Sequence, residues 1–166
     1  MTTAIHTLEG NYVSPENTKF RIALLASRFN ELVVKELIAG AQDWLIRSGV
    51  QPINLTLVRV PGAYELSHIA RDVALSGKID GIIALGCIIR GDTPHFEFVA
   101  QAANAGLQQV STATSVPIGF GVLTVETLDQ ALARAGSKAG NKGAEAAQAL
   151  LEVLNLKVAL NAWSQA

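Results

Sequence analysis

The residues with most scope for chemistry lie in one stretch, Gly81-Ile-Ile-Ala-Leu-Gly-Cys-Ile-Ile-Arg-Gly-Asp-Thr-Pro-His95. His95 supplies its imidazole, a side-chain type that changes charge near neutral pH. Thr93 suits a helix N-cap and Pro94 a first helical position. Phe96, Val99, Ala100, Ala103 and Leu107 then follow at helical spacing. Upstream, residues 82–85 form a short uncharged run that reads as a strand buried on both faces, broken at Gly86 and Gly91. A glycine-bounded loop therefore leads from a buried strand into a helix start. Amide N–H groups and a positive dipole end favour an anion there. An imidazole beside a bound anion is a candidate acid–base catalyst, with a structural role at the helix start as the alternative.

Other side chains have two readings each. Phe29, in Ser27-Arg28-Phe29-Asn30, is either a buried staple contact or a platform for an aromatic ring. Glu65, after Gly62 and Ala63, either satisfies a helix start or accepts from ligand hydroxyls. Arg134, Lys138 and Lys142 surround the 136–140 break, as helix-terminal cations or as a clamp for phosphate. Phe120 reads as core; Arg28 and His68 read as surface. These residues alone support a small anionic ligand, a phosphate ester.

Alternating strands and helices must position them. Strands are expected at 20–26, 53–60, 82–85 and 116–123. The first helix begins at Asn30, carries the stripe Val33, Leu37, Ala41, Trp44 and Leu45, and ends at Gly49. The second begins near Ala63 with Leu66, Ile69, Ala70 and Val73 inward, and stops at Gly77. A short helix capped by Thr127 and a last helix over 141–156 complete the set. Ser14 to Asn17 reads as a turn within an N-terminal arm (1–19) that docks or stays loose. The tail (157–166) reads as a fraying helix extension. No repeat or linker appears, so one domain spans 1–166. The pattern predicts a three-layer α/β, flavodoxin-like domain: four parallel strands in order 2-1-3-4 with helices on both faces. Ligands bind where the order reverses, between the carboxyl ends of strands 1 and 3.

Composition narrows the function classes. The 166 residues are 49% hydrophobic and only 16% charged. That is little charge for a small domain, and burial against other copies would relieve it, so an oligomer is expected. A net charge of -1 offers no basic excess for nucleic acid. The single Cys87 excludes an intrachain disulfide and a multi-cysteine metal site, and His6, His68 and His95 lack ligand spacing. Polar residues interrupt the long uncharged stretch 98–125, so no membrane span is expected, and its helix should pack on both sides, the second side against a neighbouring subunit. With no leader pattern at the start, the protein reads as cytoplasmic.

Five motifs together carry a family resemblance. They are Ser-Arg-Phe-Asn at 27–30, Val-Pro-Gly-Ala-Tyr-Glu at 60–65, Gly-Cys-Ile-Ile-Arg-Gly-Asp-Thr-Pro-His at 86–95, Phe-Gly-Val-Leu-Thr at 120–124 and Arg-Ala-Gly-Ser-Lys-Ala-Gly-Asn-Lys-Gly at 134–143. In order and spacing, over 19–156, they closely resemble the 6,7-dimethyl-8-ribityllumazine synthase family. The resemblance implies a transferase of riboflavin biosynthesis. It would condense 5-amino-6-(D-ribitylamino)uracil with 3,4-dihydroxy-2-butanone 4-phosphate, releasing phosphate and water, without metal or other cofactor. It implies that His95 transfers protons and that Phe29, Asn30, Ala63, Tyr64, Glu65, Cys87, Ile88 and Ile89 hold the pyrimidine and ribityl chain. Asp92 and Thr93 would bind the phosphate. From an adjacent subunit, Phe120 would cover the ring, Arg134 grip the phosphate and Lys142 reach the pyrimidine side. Cys87 stands where the family often has Thr, and Asp92 where it often has a small residue.

The family forms pentamers, and some members close twelve pentamers into an icosahedral shell. The uninterrupted 136–143 turn resembles the shell formers, so a shell is expected, with riboflavin synthase as its cargo and the arm added to a neighbour's sheet. A pentamer or decamer is the rival assembly. The rival function is a non-catalytic flavin-binding or storage shell. An electron carrier fits less well, because the first loop lacks a Ser/Thr-rich phosphate cradle.

Overall fold

Uncharged runs become the inner strands. In the computed structural model, which describes residues 5–166, β1 (Ile22–Ser27) is buried throughout and β3 (Gly81–Ile89) is buried as far as Ile88. β2 (Leu55–Val60) and β4 (Ile118–Val125) flank them as edges. The sheet is wholly parallel in the order β2-β1-β3-β4, as the pattern predicts. The pleat sends alternate side chains to opposite faces. Ile22, Leu24, Ile83 and Leu85 meet α1 (Glu31–Arg47) and α5 (Lys142–Ser164) through Leu37, Leu45, Leu150 and Leu151. Ala23, Leu25, Ile82 and Ala84 meet α2 (Leu66–Leu75) and α3 (His95–Thr114) through Leu66, Ala70, Ala103 and Leu107. Helices thus cover both faces and make three layers. α4 (Leu128–Arg134) and a small hairpin, β5 (Ala135–Ser137) with β6 (Gly140–Asn141), link β4 to α5.

Several boundaries differ from expectation for local reasons. β2 starts at Leu55 rather than 53, because Pro52–Asn54 forms a 3-10 turn that leaves Ile53 exposed. β4 starts after Pro117, two residues later than expected, and ends at Val125. Gly86 does not break β3. A Cβ there would come within 3.3 Å of Ser27 Oγ, so this glycine serves close packing inside the strand. Thr93 does not cap α3; Pro94 occupies the cap position and no side chain caps it. Asn30 stands at the cap position of α1, but its backbone is left-handed (φ 59°) and its side chain makes no cap bond. Thr127 caps α4 by accepting from the Gln130 N–H, as expected.

The arm is tied to its own chain. The expected turn is a 3-10 helix, Pro15–Lys19. Buried Asn17 donates to the carbonyls of Tyr12 and Ser48, both at 2.7 Å. Asn155 of α5 donates to Asn11 O at 2.8 Å and Asn17 Oδ1 at 2.9 Å. The Tyr12 and Trp44 rings lie 5.6 Å apart. The part of the expected arm at 1–4 lies outside the described residues. The tail continues α5 as helix to Ser164. Among the described residues no helix is long and apolar enough to cross a membrane.

Candidate active site

A cleft of about 430 Å³ opens at the carboxyl ends of β1 and β3, where the strand order reverses. The loop after β1 forms one wall. The Arg28 and Phe29 N–H groups donate to Val60 O and Pro61 O at 2.8 and 3.0 Å. That leaves the Phe29 ring 72% exposed over the cleft, so it is no buried staple. A 3-10 turn, Ala63–Glu65, supplies a second wall through Gly62, Ala63 and an exposed Tyr64. Cys87, Ile88 and Ile89 make the floor. Gly91, Thr93, His95, Phe96 and Val99 close the far side, with His95 as the first residue of α3.

The floor has a free backbone edge. β3 pairs with β1 only as far as Leu85, opposite Ala26, yet pairs with β4 as far as Ile89. Peptide groups alternate sides along a parallel strand. Arg90 N–H donates to Val125 O at 2.9 Å on the β4 side. Cys87 and Ile89 therefore present their peptide groups to the cleft. One acceptor there is already used: Asn30 Nδ2 donates to Cys87 O at 2.7 Å and ties the two loops together. What remains can read the hydrogen-bonding edge of a planar heterocycle stacked on Phe29. The uncapped start of α3 adds amide donors beside His95.

The charges are less evenly placed than the sequence suggests. Among the described residues no Lys or Arg lines this cleft. Glu65 accepts from the Gly62 N–H at 2.9 Å, which is its helix-start reading, and does not line the cleft. Asp92 is exposed and also stands outside the lining. Burial pushes the Cys87 thiol up to about 11, so it is neutral near pH 7 and no nucleophile. His68 lies on the surface, 4.0 Å from Asp72.

Phe120, Arg134 and Lys142 line a second, open cavity of about 240 Å³ along β4. Phe120 is not core: β4 is an edge strand, and the ring is 47% exposed. Arg134 donates to Gln130 O of its own helix at 3.1 Å, as a helix-terminal cation does. Lys142 pairs with Glu145 at 2.6 Å at the start of α5, so the helix-C-terminal reading fails for it. The two cavities share no lining residue, so within one chain His95 and Arg134 belong to different cavities.

Gly62 and Gly91 lie in the two loops, 61–65 and 86–95, that the sequence places at the crevice, whereas the lining roles of Phe96 and Val99 were missed. Phe96 and Val99 carry the same apolar signal as a core stripe, and only their partial burial separates the two roles. Arg90 was also missed. It donates to Glu126 at 2.6 Å and lies 4.3 Å above the Phe96 ring.

With this geometry in view, the chain matches a family model described as 6,7-dimethyl-8-ribityllumazine synthase over residues 19–158. The chain belongs to that family. It is 53% identical to the 6,7-dimethyl-8-ribityllumazine synthase of Nitratidesulfovibrio vulgaris (strain DP4), over 92% of this chain and 96% of the relative. It is 51% identical to that of Lawsonia intracellularis (strain PHE/MN1-00), over 92% and 95%. Among solved structures, a de novo designed Rossmann fold protein aligns with TM-score 0.37 and 19% identity over 68% of this chain and 90% of that one, too weak a likeness to bear on function. The lumazine synthase match spans every residue of both cavities.

Proposed function

We propose that this chain is a transferase of riboflavin biosynthesis. It condenses 5-amino-6-(D-ribitylamino)uracil with 3,4-dihydroxy-2-butanone 4-phosphate to give 6,7-dimethyl-8-ribityllumazine, phosphate and water. The carrying observation is a cleft, in a member of this family, that joins an exposed aromatic ring, an unpaired strand edge and an imidazole at a helix start. Phe29 stacks on the pyrimidine, and the peptide groups of Cys87 and Ile89 meet its edge. Ala63, Tyr64 and the Glu65 turn flank the ribityl chain, while Asn30 holds the Cys87 carbonyl in place. The phosphate sits at Thr93 and the α3 start, beside Asp92.

The amine attacks the ketone and the carbonyl oxygen leaves as water, giving an imine. Proton removal and phosphate loss follow, then ring closure and dehydration. His95 moves the protons, and two substrates held in register supply much of the remaining acceleration. A departing phosphate needs a cation, which the cleft lacks and the Phe120–Arg134–Lys142 cavity holds. We therefore assign that cavity to the cleft of an adjacent copy. Our reading is a single domain in a cytoplasmic pentamer, with twelve pentamers in a shell able to hold riboflavin synthase.

The test mixes both substrates and follows lumazine absorbance. Wild type forms product, and His95→Ala, folded by circular dichroism, is slower by about 10²–10⁴-fold. Equal rates would remove His95 from the chemistry; no product from wild type would favour a flavin-storage role.

A further inference from the structure

We propose that Arg90 is a positioning residue of this cleft, fixing the 91–94 loop and the first turn of α3 so that His95 meets the bound substrates; the inference rests on the synthase reading above. The β3–β4 pairing ends at Ile89 opposite Val125, and the Arg90 N–H adds one more bond to Val125 O at 2.9 Å. Beyond it Gly91, Asp92 and Thr93 are exposed, and among the described residues no backbone N–H of theirs is bonded. Backbone bonding resumes where Glu97 N–H donates to Pro94 O at 2.9 Å. α3 has no side-chain cap to fix its start. The loop that carries His95 is thus weakly held by its own backbone.

The Arg90 side chain supplies the missing restraint. Nε donates to Glu126 Oε2 at 2.6 Å, just past β4. Nη1 reaches Glu97 Oε1, in the first turn of α3, at 3.4 Å. The guanidinium carbon lies 4.3 Å from the centre of the Phe96 ring, which lines the cleft next to His95. One planar fork therefore links the end of β4 to the helix start and lies on a cleft wall, a combination that Lys cannot copy. Exposed ion pairs add little to stability, so the consequence is geometric. Misplacing a catalytic group by about 1 Å can cost about 10²-fold in rate. Two carboxylates already hold this guanidinium, which argues against Arg90 as a direct phosphate ligand.

Steady-state kinetics on the whole assembled protein test this with Arg90→Ala, Arg90→Lys, Glu126→Gln and the double variant Arg90→Ala/Glu126→Gln. Arg90→Ala is expected to lower kcat about tenfold with KM for the phosphate substrate within about twofold. Arg90→Lys stays impaired, because the stacked fork is lost. Glu126→Gln lowers kcat in the same direction, and the double variant is no worse than Arg90→Ala. Should an Arg90 variant fail to fold, Glu126→Gln decides by its kcat. A raised KM with unchanged kcat, an unaltered kcat, or effects of Arg90→Ala and Glu126→Gln that multiply would overturn the proposal. If wild type makes lumazine and Arg90→Ala matches it, this inference alone fails. If wild type makes none, the synthase reading fails and takes this inference with it.

Discussion

A single carboxylate, Asp80, joins the beginnings of the two central strands. It accepts from the Arg21 backbone N–H at 2.8 Å, from Nε at 3.1 Å and from Nη2 at 2.9 Å. The Asp80 N–H returns a bond to Arg21 O at 2.8 Å. The side-chain hydrogen bond from Arg21 is the chief reason that the Asp80 carboxyl is held below its usual range. Since the folded value is the depressed one, protons bind the unfolded chain first. The stabilisation is therefore complete above the unfolded value of about 4 and is lost as pH falls through the folded value. Asp80→Asn should melt below wild type by a constant margin from about pH 7 to about pH 5, a margin that closes below about pH 4. Melting curves across that range check it, and a margin that widens in acid would refute the assignment. The pair is partly exposed, so the margin should be small.

Glycines show at the level of elements which contacts the fold needs. At Gly143 a Cβ would lie 2.1 Å from Leu37 O, so α1 and α5 touch through backbone there. Gly143→Ala must push them apart and should cost about 1–3 kcal/mol in chemical denaturation. At Gly91 a Cβ would meet nothing within 4 Å, and the φ is not left-handed. Gly91→Ala should stay within about 0.5 kcal/mol of wild type yet lose activity, because Gly91 lines the cleft. A large stability loss there would show that the fold, not the ligand, needs this glycine. The same distinction marks what was legible in the sequence. Strand order, the crevice and the His95 helix start follow from apolar runs and spacing, which local physics controls. Gly86 and Phe120 do not: a glycine packed in a strand looks like a turn, and an edge-strand aromatic looks like core, until neighbours are placed. Thr93 lost the cap because Pro94, one position later, already has the geometry to begin α3. Arg90 pairs with Glu126 across 36 positions, a contact that no local pattern marks.

On the proposed reading the whole chain carries two half-sites on one scaffold. One holds the imidazole and the Phe29 wall with, among the described residues, no lining Lys or Arg; the other holds Arg134, Lys142 and Phe120 on an open strand edge. Phe98 on α3 is 69% exposed, so one side of that uncharged helix is uncovered within a single chain, which leaves the expected packing on both sides to a neighbouring copy. A second copy can cover such surface and complete each half-site with the other. This division predicts complementation. His95→Ala assemblies lack the proton carrier in every site, and Arg134→Ala assemblies lack the phosphate cation in every site. When the two chains are co-expressed and assemble at random, roughly a quarter of the junctions join an intact His95 to an intact Arg134. At low concentration of the phosphate substrate, the mixed assemblies should recover that share of wild-type turnover, well above the mean of the two parents. Separately assembled parents, mixed afterwards without subunit exchange, should show no gain. Sites built within single chains would each lack either His95 or Arg134, and co-expression would then restore nothing.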